Sequence, residues 1–454
     1  MIDNIKRIQE NPVKSTIALS IPIIVLLFLD TFYAVADLYW IGSIGTSAIV
    51  CMGYISNAVY VLSKMGDGIG RAVNVLISNA FGARRRGKTK IYAQHGMILI
   101  FAVSIIIPLI GIPIIKGICF AVNLDSYADL IFAYLAPILG FIILSMMNNY
   151  FSSILGSEGD TKRATIIIIA GNLINLVMDP ILIFHFGMGM LGAGFATIIG
   201  CGFAFSLFIY LFYIRKDTLV KVDFKGFEFD WTIIWKIVKL ALPIIFDGLL
   251  LSIVGVIINY ALHVYATPVA AFAYVVLLRI QTTVFTPVQG LSKSLCIVTG
   301  HLAGAKRFSL LRDTVRRILL IALAIGIVTA VVMSLFHIEI LSFFSSDQII
   351  YEEVRNIMMF LLIILVVHPI LVTCNYVYVG LEKSVYSLYF LIFNVVLFVA
   401  ILVAFDYAFG LTDFGIFMAL ITVNVIESAL MLVVMRIMLA NRIAENEGGI
   451  LEVG

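Results

Sequence analysis

The sequence predicts an all-α integral membrane protein with twelve transmembrane helices, from its composition, the length of its apolar segments and the placement of its basic residues. Of the 454 residues, 62% are hydrophobic and 13% are charged, and the mean hydropathy is +1.10. A soluble domain has about 45–50% apolar and about 25% charged residues. This apolar excess excludes a disordered chain and a disulfide-stapled secreted scaffold, and the net charge of only +3 excludes a nucleic-acid binder.

The apolar residues fall into twelve segments, each bounded by charged residues, Gly or Pro. A helix needs about 20 apolar residues to cross the hydrocarbon layer. The predicted spans are 16–40, 47–80, 91–115, 127–154, 164–184, 192–214, 237–262, 268–302, 311–336, 352–379, 385–406 and 414–438. The second and eighth are longer than the bilayer requires, so we expect them to tilt or to project beyond it.

The basic residues indicate the orientation of these spans. Of the 30 Lys and Arg residues, 24 fall at the termini or in the loops on one side, whereas the loops on the other side hold only Lys116. Cytoplasmic loops collect Lys and Arg. We therefore expect a multi-pass protein of the cell membrane with both termini in the cytoplasm.

The two halves of the chain align as an internal repeat. The matching positions, at a shift of about 222 residues, are Pro22 and Pro243, Gly68 and Gly290, Gly82 and Gly304, Arg84 and Lys306, Asp125 and Asp347, and, after a two-residue insertion, Glu158 and Glu382. Each half has six spans, so both halves begin on the same side, and a pseudo-twofold axis along the membrane normal relates them. Two such bundles around a cavity are typical of alternating-access transporters.

This repeat divides the chain into two predicted lobes and a linker. The N-terminal six-helix lobe covers 1–214, and the C-terminal six-helix lobe covers 237–440. A charged cytoplasmic linker covers 215–236, and we expect part of it to form an amphipathic interfacial helix bearing Trp231 and Trp235. Residues 441–454 form a short cytoplasmic tail.

Carboxylates within the spans of the first half are the main candidates for chemistry, because a charged residue in a spanning helix costs about 2.5–3.5 kcal/mol. Asp37 lies about 20 residues into the first span, with Asp30 two turns earlier on the same face. In the fifth span, Asn175 and Asp179 share a face at i and i+4. Two carboxylates and an amide at similar depth indicate a hard-cation site or a proton carrier. Without a cation, a buried carboxylate favours its protonated form, so Na⁺ and H⁺ both remain open.

The second half lacks this arrangement in the sequence. A shift of 222 takes Asp37 to Asn259 and Asp179 to Ile401. The ionisable residues that remain in its spans are Asp247, Arg279, Lys293, Arg355, His368 and Glu427, with Asp406 at a span end. The sequence therefore predicts that ion coupling resides in the N-terminal lobe and that the C-terminal lobe contributes surface to the cavity.

These residues resemble the multidrug and toxic compound extrusion (MATE) family, within the larger group of multidrug, oligosaccharidyl-lipid and polysaccharide exporters. The motifs that carry the resemblance are Pro22 with Asp37-Leu38-Tyr39-Trp40-Ile41-Gly42, Gly82-Ala83, Asn175-x3-Asp179-Pro180, and Gly192-Ala193-Gly194-Phe195-Ala196-Thr197. The resemblance covers about residues 15–440. It implies two six-helix lobes in a V and export of organic cations in exchange for Na⁺ or H⁺.

The resemblance also implies roles for individual residues. The cation site would consist of Asp37, Asn175, Asp179 and Thr197, and Na⁺ is one ion it could hold. Tyr134 would line the substrate pocket, to which we add Asp30, Asn149 and Arg279 as candidates. Pro22 would be the point at which the first helix bends, because proline already lacks one helical hydrogen bond. Asp30 departs from one branch of the family, which often has an uncharged polar residue there, and it makes this lobe more acidic.

The sequence therefore favours a secondary active multidrug antiporter that takes small organic cations or amphipathic drugs, works as a monomer in the lipid bilayer, and uses no cofactor beyond the coupling ion, Na⁺ or H⁺. The alternative is a flippase for lipid-linked oligosaccharides or polysaccharides in the same larger group. A flippase would need several Arg or Lys residues in the cavity to bind a pyrophosphate. We do not expect an enzyme, since no HExxH or GxSxG motif occurs.

Overall fold

A computed structural model describes residues 2–121, 125–265, 274, 278, 280–336, 348–409 and 413–451. These residues are helical apart from short connections and one longer linker, and no strand occurs among them. The α-helices are α1 (Ile2–Glu10), α2 (Pro12–Gly42), α3 (Thr46–Gly82), α4 (Arg86–Ala121), α5 (Asp125–Gly140), α6 (Ile142–Ser157), α7 (Thr161–Pro180), α8 (Gly189–Ile209), α9 (Trp231–Tyr265), α10 (Thr286–Gly304), α11 (Phe308–Leu335), α12 (Gln348–Gly380), α13 (Ser384–Phe409) and α14 (Asp413–Leu451).

The predicted membrane class is confirmed. Within the described ranges, nine helical segments are long and apolar enough to cross a bilayer, and α5 with α6 makes a tenth if they are one span. Neither the seventh predicted span, 237–262, nor the eighth, 268–302, is among these, and the eighth includes residues outside the described ranges. The count of twelve therefore stays a prediction.

The predicted fourth, fifth and sixth spans depart from regular α-helix. The predicted fourth span, 127–154, is broken into α5 and α6, which meet at an angle of 53°. Pro137 lies one turn before this break, and a proline inside a helix removes a backbone hydrogen bond. The fifth and sixth spans end in π-helical turns, Ile181–His185 and Tyr210–Ile214. The first of these follows Pro180 directly and adjoins the candidate site, as π-helical turns frequently do.

The internal repeat is visible in the geometry of the turns. Arg84 and Lys306 both adopt left-handed backbone conformations, with φ of 59° and 56°. The amide of Ala83 donates to the carbonyl of Asn79 at 2.9 Å, and the amide of Ala305 donates to that of His301 at 3.1 Å. The helices α3 and α10 thus end in the same way at a shift of 222 residues.

The turns after α6 and α12 correct the predicted register of the repeat. Gly159 and Glu382 take the left-handed conformation, with φ of 77° and 60°. The amide of Gly159 donates to the carbonyl of Gly156, as the amide of Glu382 does to that of Val379. These matched bonds give a shift of 223 residues, one fewer than expected. Leu381, and not Glu382, is therefore the counterpart of Glu158.

The described chain forms two compact units, whose boundaries differ from the predicted lobes. Unit 1 comprises Met1–Glu10 and Val25–Ile245, and unit 2 comprises Asn11–Ile24 and Phe246–Gly454. The helices α2 and α9 therefore each contribute to both units. In each of them the boundary lies shortly after a repeat-related proline, Pro22 or Pro243.

The predicted linker, 215–236, is helical only at its end, and the interfacial position of that helical part stays a prediction. Residues 215–230 are non-helical, and the chain becomes helical only at Trp231, the first residue of α9. Trp231 and Trp235 are exposed at the start of this long helix. Residues 215–245 belong to unit 1.

Candidate functional site

Two helices of unit 1 cross closely enough to bring their polar side chains together. A Cβ atom on Gly171 of α7 would lie 2.7 Å from the carbonyl oxygen of Gly200 of α8. Conversely, a Cβ atom on Gly200 would lie 2.6 Å from the carbonyl oxygen of Gly171 and 2.8 Å from Cβ of Asn175. Small residues allow helix backbones to approach in this way. This crossing places the Asn175 side chain against α8.

Two further glycines bring other elements to the same helix. A Cβ on Gly194 would lie 2.6 Å from the carbonyl oxygen of Tyr134 on α5, and one on Gly192 would lie 2.8 Å from the backbone of Leu182 in the π-helical turn. The glycines of the sixth span therefore allow α5, α7 and the π-helical turn to pack closely around α8.

The structure joins Asn175 directly to Thr197. Nδ2 of Asn175 donates to Oγ1 of Thr197 at 3.3 Å, and that hydroxyl donates to the carbonyl of Ala193 at 3.1 Å. Asn175 is 2% exposed. Its Oδ1 has no hydrogen-bond partner among the described residues, so one acceptor of the amide is left for another group.

Asp37 and Asp179 are buried carboxylates with unsatisfied oxygens. Asp179 is 0% exposed and Asp37 is 7% exposed. Both oxygens of Asp179 and Oδ1 of Asp37 lack a hydrogen-bond partner within the described residues. A buried acceptor without a partner costs about 1–3 kcal/mol, and more when it is charged. Each of these oxygens therefore needs a proton, a cation or an ordered water molecule as a partner.

The two carboxylates are close enough for their charges to interact, and two tyrosines adjoin them. Tyr134 of α5, which was predicted to line the substrate pocket, is buried and interacts with both carboxylates and with Thr197. Tyr33 of α2 interacts with the same three residues and was not among the predicted site residues. Its spacing of four residues before Asp37 places it on the face of the first helix that carries the carboxylate, which is the signal that could have identified it.

Asp30 extends this polar face by two helical turns. Nδ2 of Asn172 donates to Oδ1 of Asp30 at 2.9 Å, and Asp30 is half-buried. Asn172 precedes Asp179 by seven residues on α7, the same spacing that separates Asp30 from Asp37 on α2. The pair Asp37 and Asp179 and the half-buried pair Asp30 and Asn172 thus lie on matched faces of α2 and α7.

The structure does not gather every predicted residue here. The side chain of Asn149 packs against Gly66 of α3, and its place in a substrate pocket stays a prediction. Arg279 lies outside the described residues. Pro22 lies inside α2, in the part of that helix that belongs to unit 2.

The donor set suits a monovalent hard cation or protons better than a transition metal. Within the described ranges, no three His, Cys, Asp or Glu side chains cluster as metal ligands. The group formed by Asp37, Asn175, Asp179 and Thr197 offers only carboxylate, amide and hydroxyl oxygens, which are hard ligands. It can hold positive charge in a buried position and can release that charge when another cation competes for the carboxylates.

The second half also contains a buried acid that the sequence comparison did not connect to others. Glu427 of α14 is 5% exposed, accepts a hydrogen bond from Nδ2 of Asn394 at 2.6 Å, and is near enough to Asp247 for an electrostatic interaction. Asp247 lies on α9, which the repeat pairs with α2, the helix of Asp37, and Asn394 lies on α13, which it pairs with α7, the helix of Asp179. Glu427 lies on α14, the counterpart of α8. The second half therefore contains a polar group on the corresponding helices, and ion coupling through the N-terminal lobe stays a prediction.

A family model described as MatE matches residues 22–181 and 243–405. The two matched segments begin at Pro22 and Pro243, the repeat-related prolines. Multidrug export protein MepA from Staphylococcus aureus (strain NCTC 8325 / PS 47) is 24% identical over 360 residues, which cover 76% of each chain. A protein named FAD transporter from Shewanella oneidensis is 24% identical over 348 residues, 74% of this chain and 75% of that protein.

The fold matches solved structures over nearly the whole chain. A structure described as the outward-facing conformation of a multidrug resistance MATE family transporter of the MOP superfamily has a TM-score of 0.91 and 22% identity. The match covers 97% of this chain and 98% of that one. At this identity the likeness shows the fold.

Proposed function

Because the chain belongs to the MatE family of membrane transporters, we propose that it is a secondary active efflux antiporter that exports organic cations or amphipathic compounds in exchange for H⁺ or Na⁺. The observation that carries this proposal is the pair of buried carboxylates, Asp37 and Asp179, with three oxygens that lack partners within the described residues. MepA, whose name describes multidrug export, supports the choice of substrate class.

Competition for these carboxylates explains how export would be coupled to an ion. A buried negative charge is costly unless it is neutralised. A proton or Na⁺ at Asp37 and Asp179 neutralises the site in one state, and a cationic substrate does so in the other. Because the two ligands compete, binding of the ion on the outside favours release of the substrate. Asn175 and Thr197 would complete the ion site.

The remaining predicted residues would lie around this site or would allow the protein to change conformation. Asp30 and Tyr134 would line the substrate pocket on the first half, with Asn149 and Arg279 as further candidates. Pro22 would allow α2 to bend. We infer twelve spans in two six-helix lobes arranged as a V, a monomer in the cell membrane, and both termini in the cytoplasm, on the strength of the repeat and the placement of basic residues.

The flippase alternative is not favoured. A pyrophosphate-linked substrate would require a basic pocket, whereas the candidate site in the first half presents the acids Asp30, Asp37 and Asp179. The relative named FAD transporter makes it worthwhile to include an anionic compound as a substrate in transport assays.

The test is efflux of ethidium from cells that express Asp37→Asn or Asp179→Asn. We expect at least about a tenfold loss of efflux in each variant, because the neutral amide has no negative charge with which to bind the coupling ion or a cationic substrate. Asp313→Asn is the matched control, since this aspartate is exposed on α11, and it should transport like the unmodified protein. Efflux at the unmodified rate from both test variants, at equal amounts in the membrane, would refute the proposal.

A further inference from the structure

The linker between the two halves is fastened along one end of unit 1. Near its start, Asp217 forms an ion pair with Arg163 at 2.9 Å. In its middle, Asp223 forms an ion pair with Lys90 at 2.6 Å, and its carbonyl accepts a hydrogen bond from Gln94. At its end, the amide of Asp230 donates to Nε2 of His95 at 2.9 Å. His95 is 0% exposed.

Between these attachments, the linker depends on one buried carboxylate. Glu158, in the turn between α6 and α7, is 0% exposed. Its Oε1 accepts a hydrogen bond from the amide of Val220 at 2.7 Å, and the amide of Leu219 also interacts with the carboxylate. Oε2 is buried and has no partner among the described residues. Val220 is itself 0% exposed, so Glu158 and Val220 cover one another.

The charged groups around Glu158 do not supply a dedicated counterion. Among the described residues, the basic group that acts on Glu158 is Arg163, and Asp160 opposes it. Arg163 is also shared, since it forms ion pairs with Asp160 and Asp217. On the remaining side, α1 faces the turn with Asn4, whose Nδ2 donates to the carbonyl of Gly159, and with the apolar Ile8. Neither side chain titrates.

The repeat indicates that this carboxylate serves the linker. The corresponding turn after α12 has Leu381 in the place of Glu158, as the matched hydrogen bonds establish. The turn therefore forms without an acid at this position. In the first half, the linker backbone crosses the turn at this carboxylate.

We propose that Glu158 is a proton-dependent anchor for the linker: in its neutral form it holds residues 219–221 against unit 1, and in its ionised form it weakens that attachment. An ionised carboxylate that is fully buried with one unpartnered oxygen is unfavourable. Release of the linker returns that charge to water. Any effect on transport rests on the proposed function, whereas attachment of the linker can be measured without it.

Burial raises the pKa of Glu158 from its ordinary value to about 7. When the linker is released, the side chain regains an ordinary pKa near 4.5. Attachment is therefore strongest below the lower value, weakens as the pH rises between the two, and changes no further above about pH 7. On the side that we expect to be cytoplasmic, acidification would fasten the linker.

His95 holds the other end of the linker as a hydrogen-bond acceptor. Its Nδ1 lies 2.8 Å from the carbonyl of Ile91, and its Nε2 accepts from the amide of Asp230 at 2.9 Å. The amides of Val220 and Asp230 therefore report on two different groups.

The test is hydrogen exchange of the full-length protein in lipid nanodiscs, read at the amides of Leu219 and Val220 and corrected for the intrinsic rate. We expect the protection of these amides to fall at least about tenfold between about pH 5 and pH 7.5, and to change little from there to about pH 8.5. In Glu158→Gln the protection should be the same at all three values.

Glu382→Gln is the matched control, because it removes a half-buried acid from the corresponding turn of the second half. It should reproduce the pH response of the unmodified chain. Equal protection at all pH values in the unmodified chain would overturn the proposal, and so would an unchanged fall in Glu158→Gln. If Glu158→Gln does not insert, the profile of the unmodified chain alone decides. Hydrogen exchange does not depend on ethidium transport. Failure of the antiporter proposal would therefore be recognised separately, in the efflux assay.

Discussion

Asn175 and Thr197 lie on different helices, and Nδ2 of the first donates to Oγ1 of the second at 3.3 Å. This bond bridges the crossing of α7 and α8, where the backbones meet at Gly171 and Gly200. The bond uses the donor side of the amide and leaves Oδ1 without a partner within the described residues. The crossing thus presents an acceptor in the same buried region as Asp179.

The first prediction concerns this crossing. Gly200→Ala would place a methyl group 2.6 Å from the carbonyl oxygen of Gly171, so the helices must separate. We expect destabilisation of about 1–3 kcal/mol and reduced transport. Gly202→Ala, two residues away on α8, would meet its nearest neighbour at 3.8 Å and should be tolerated. The melting temperatures of both variants in detergent check this, and equal values for the two would contradict it.

The second prediction concerns the hydroxyl of Thr197. Thr197→Val keeps the shape of the side chain but removes the acceptor for Asn175, which frees the amide to turn away from the acid pair. A lost hydrogen bond of this kind costs about 1–1.5 kcal/mol, so the half-saturating concentration of the coupling ion should rise by about tenfold. Thr197→Ser retains the hydroxyl and should stay near the unmodified value. The measurement is a titration of the transport rate against the concentration of the coupling ion. Identical curves for Thr197→Val and Thr197→Ser would be incompatible with this role.

The third prediction concerns the start of α9. Oδ1 of Asp230 accepts from the amide of Thr232 at 2.8 Å and from its hydroxyl at 2.6 Å. These hydrogen bonds lower the pKa of Asp230 below its ordinary value of 3.8. Ionised Asp230 therefore stabilises the start of α9 fully above the ordinary pKa. This stabilisation is lost as the pH falls through the lowered pKa.

Protection of the Thr232 amide from exchange should accordingly be constant from about pH 5 to pH 8, in contrast to the amide of Val220. Asp230→Ala should reduce this protection at every pH, because the helix start loses its side-chain acceptor. Thr232→Ala keeps the backbone donor and should retain most of the protection. Full protection of the Thr232 amide in Asp230→Ala would show that the start of α9 does not need the Asp230 side chain.

Much of the fold and part of the site could be predicted from the sequence. Apolar segments and the repeat depend on local composition, so the membrane class and the repeated turns at Arg84 and Lys306 were accessible. Asp37 and Asp179 were accessible because acids within apolar segments are costly and therefore stand out.

What depended on the approach of distant segments was not accessible. The contact of Gly171 with Gly200 requires the crossing of two helices, and nothing in either segment specifies its partner. Tyr33 was overlooked because a tyrosine is unremarkable in an apolar helix until a neighbouring carboxylate gives it a role. The attachment of the linker through Glu158 and His95 joins each of these residues to a partner that lies 62 or 135 positions away in the sequence. The charged composition of the linker suggested an interfacial helix and did not indicate these contacts.

The central claim is that the carboxylates of Asp37 and Asp179 couple substrate movement to an ion gradient. The most direct measurement is ethidium transport by the purified protein in proteoliposomes, with a Na⁺ gradient imposed first and a pH gradient imposed second. We predict that at least one gradient drives transport by the unmodified protein and that neither drives it in Asp37→Asn or Asp179→Asn. Transport that is independent of both gradients, or gradient-driven transport at the unmodified rate in both variants, would contradict the claim.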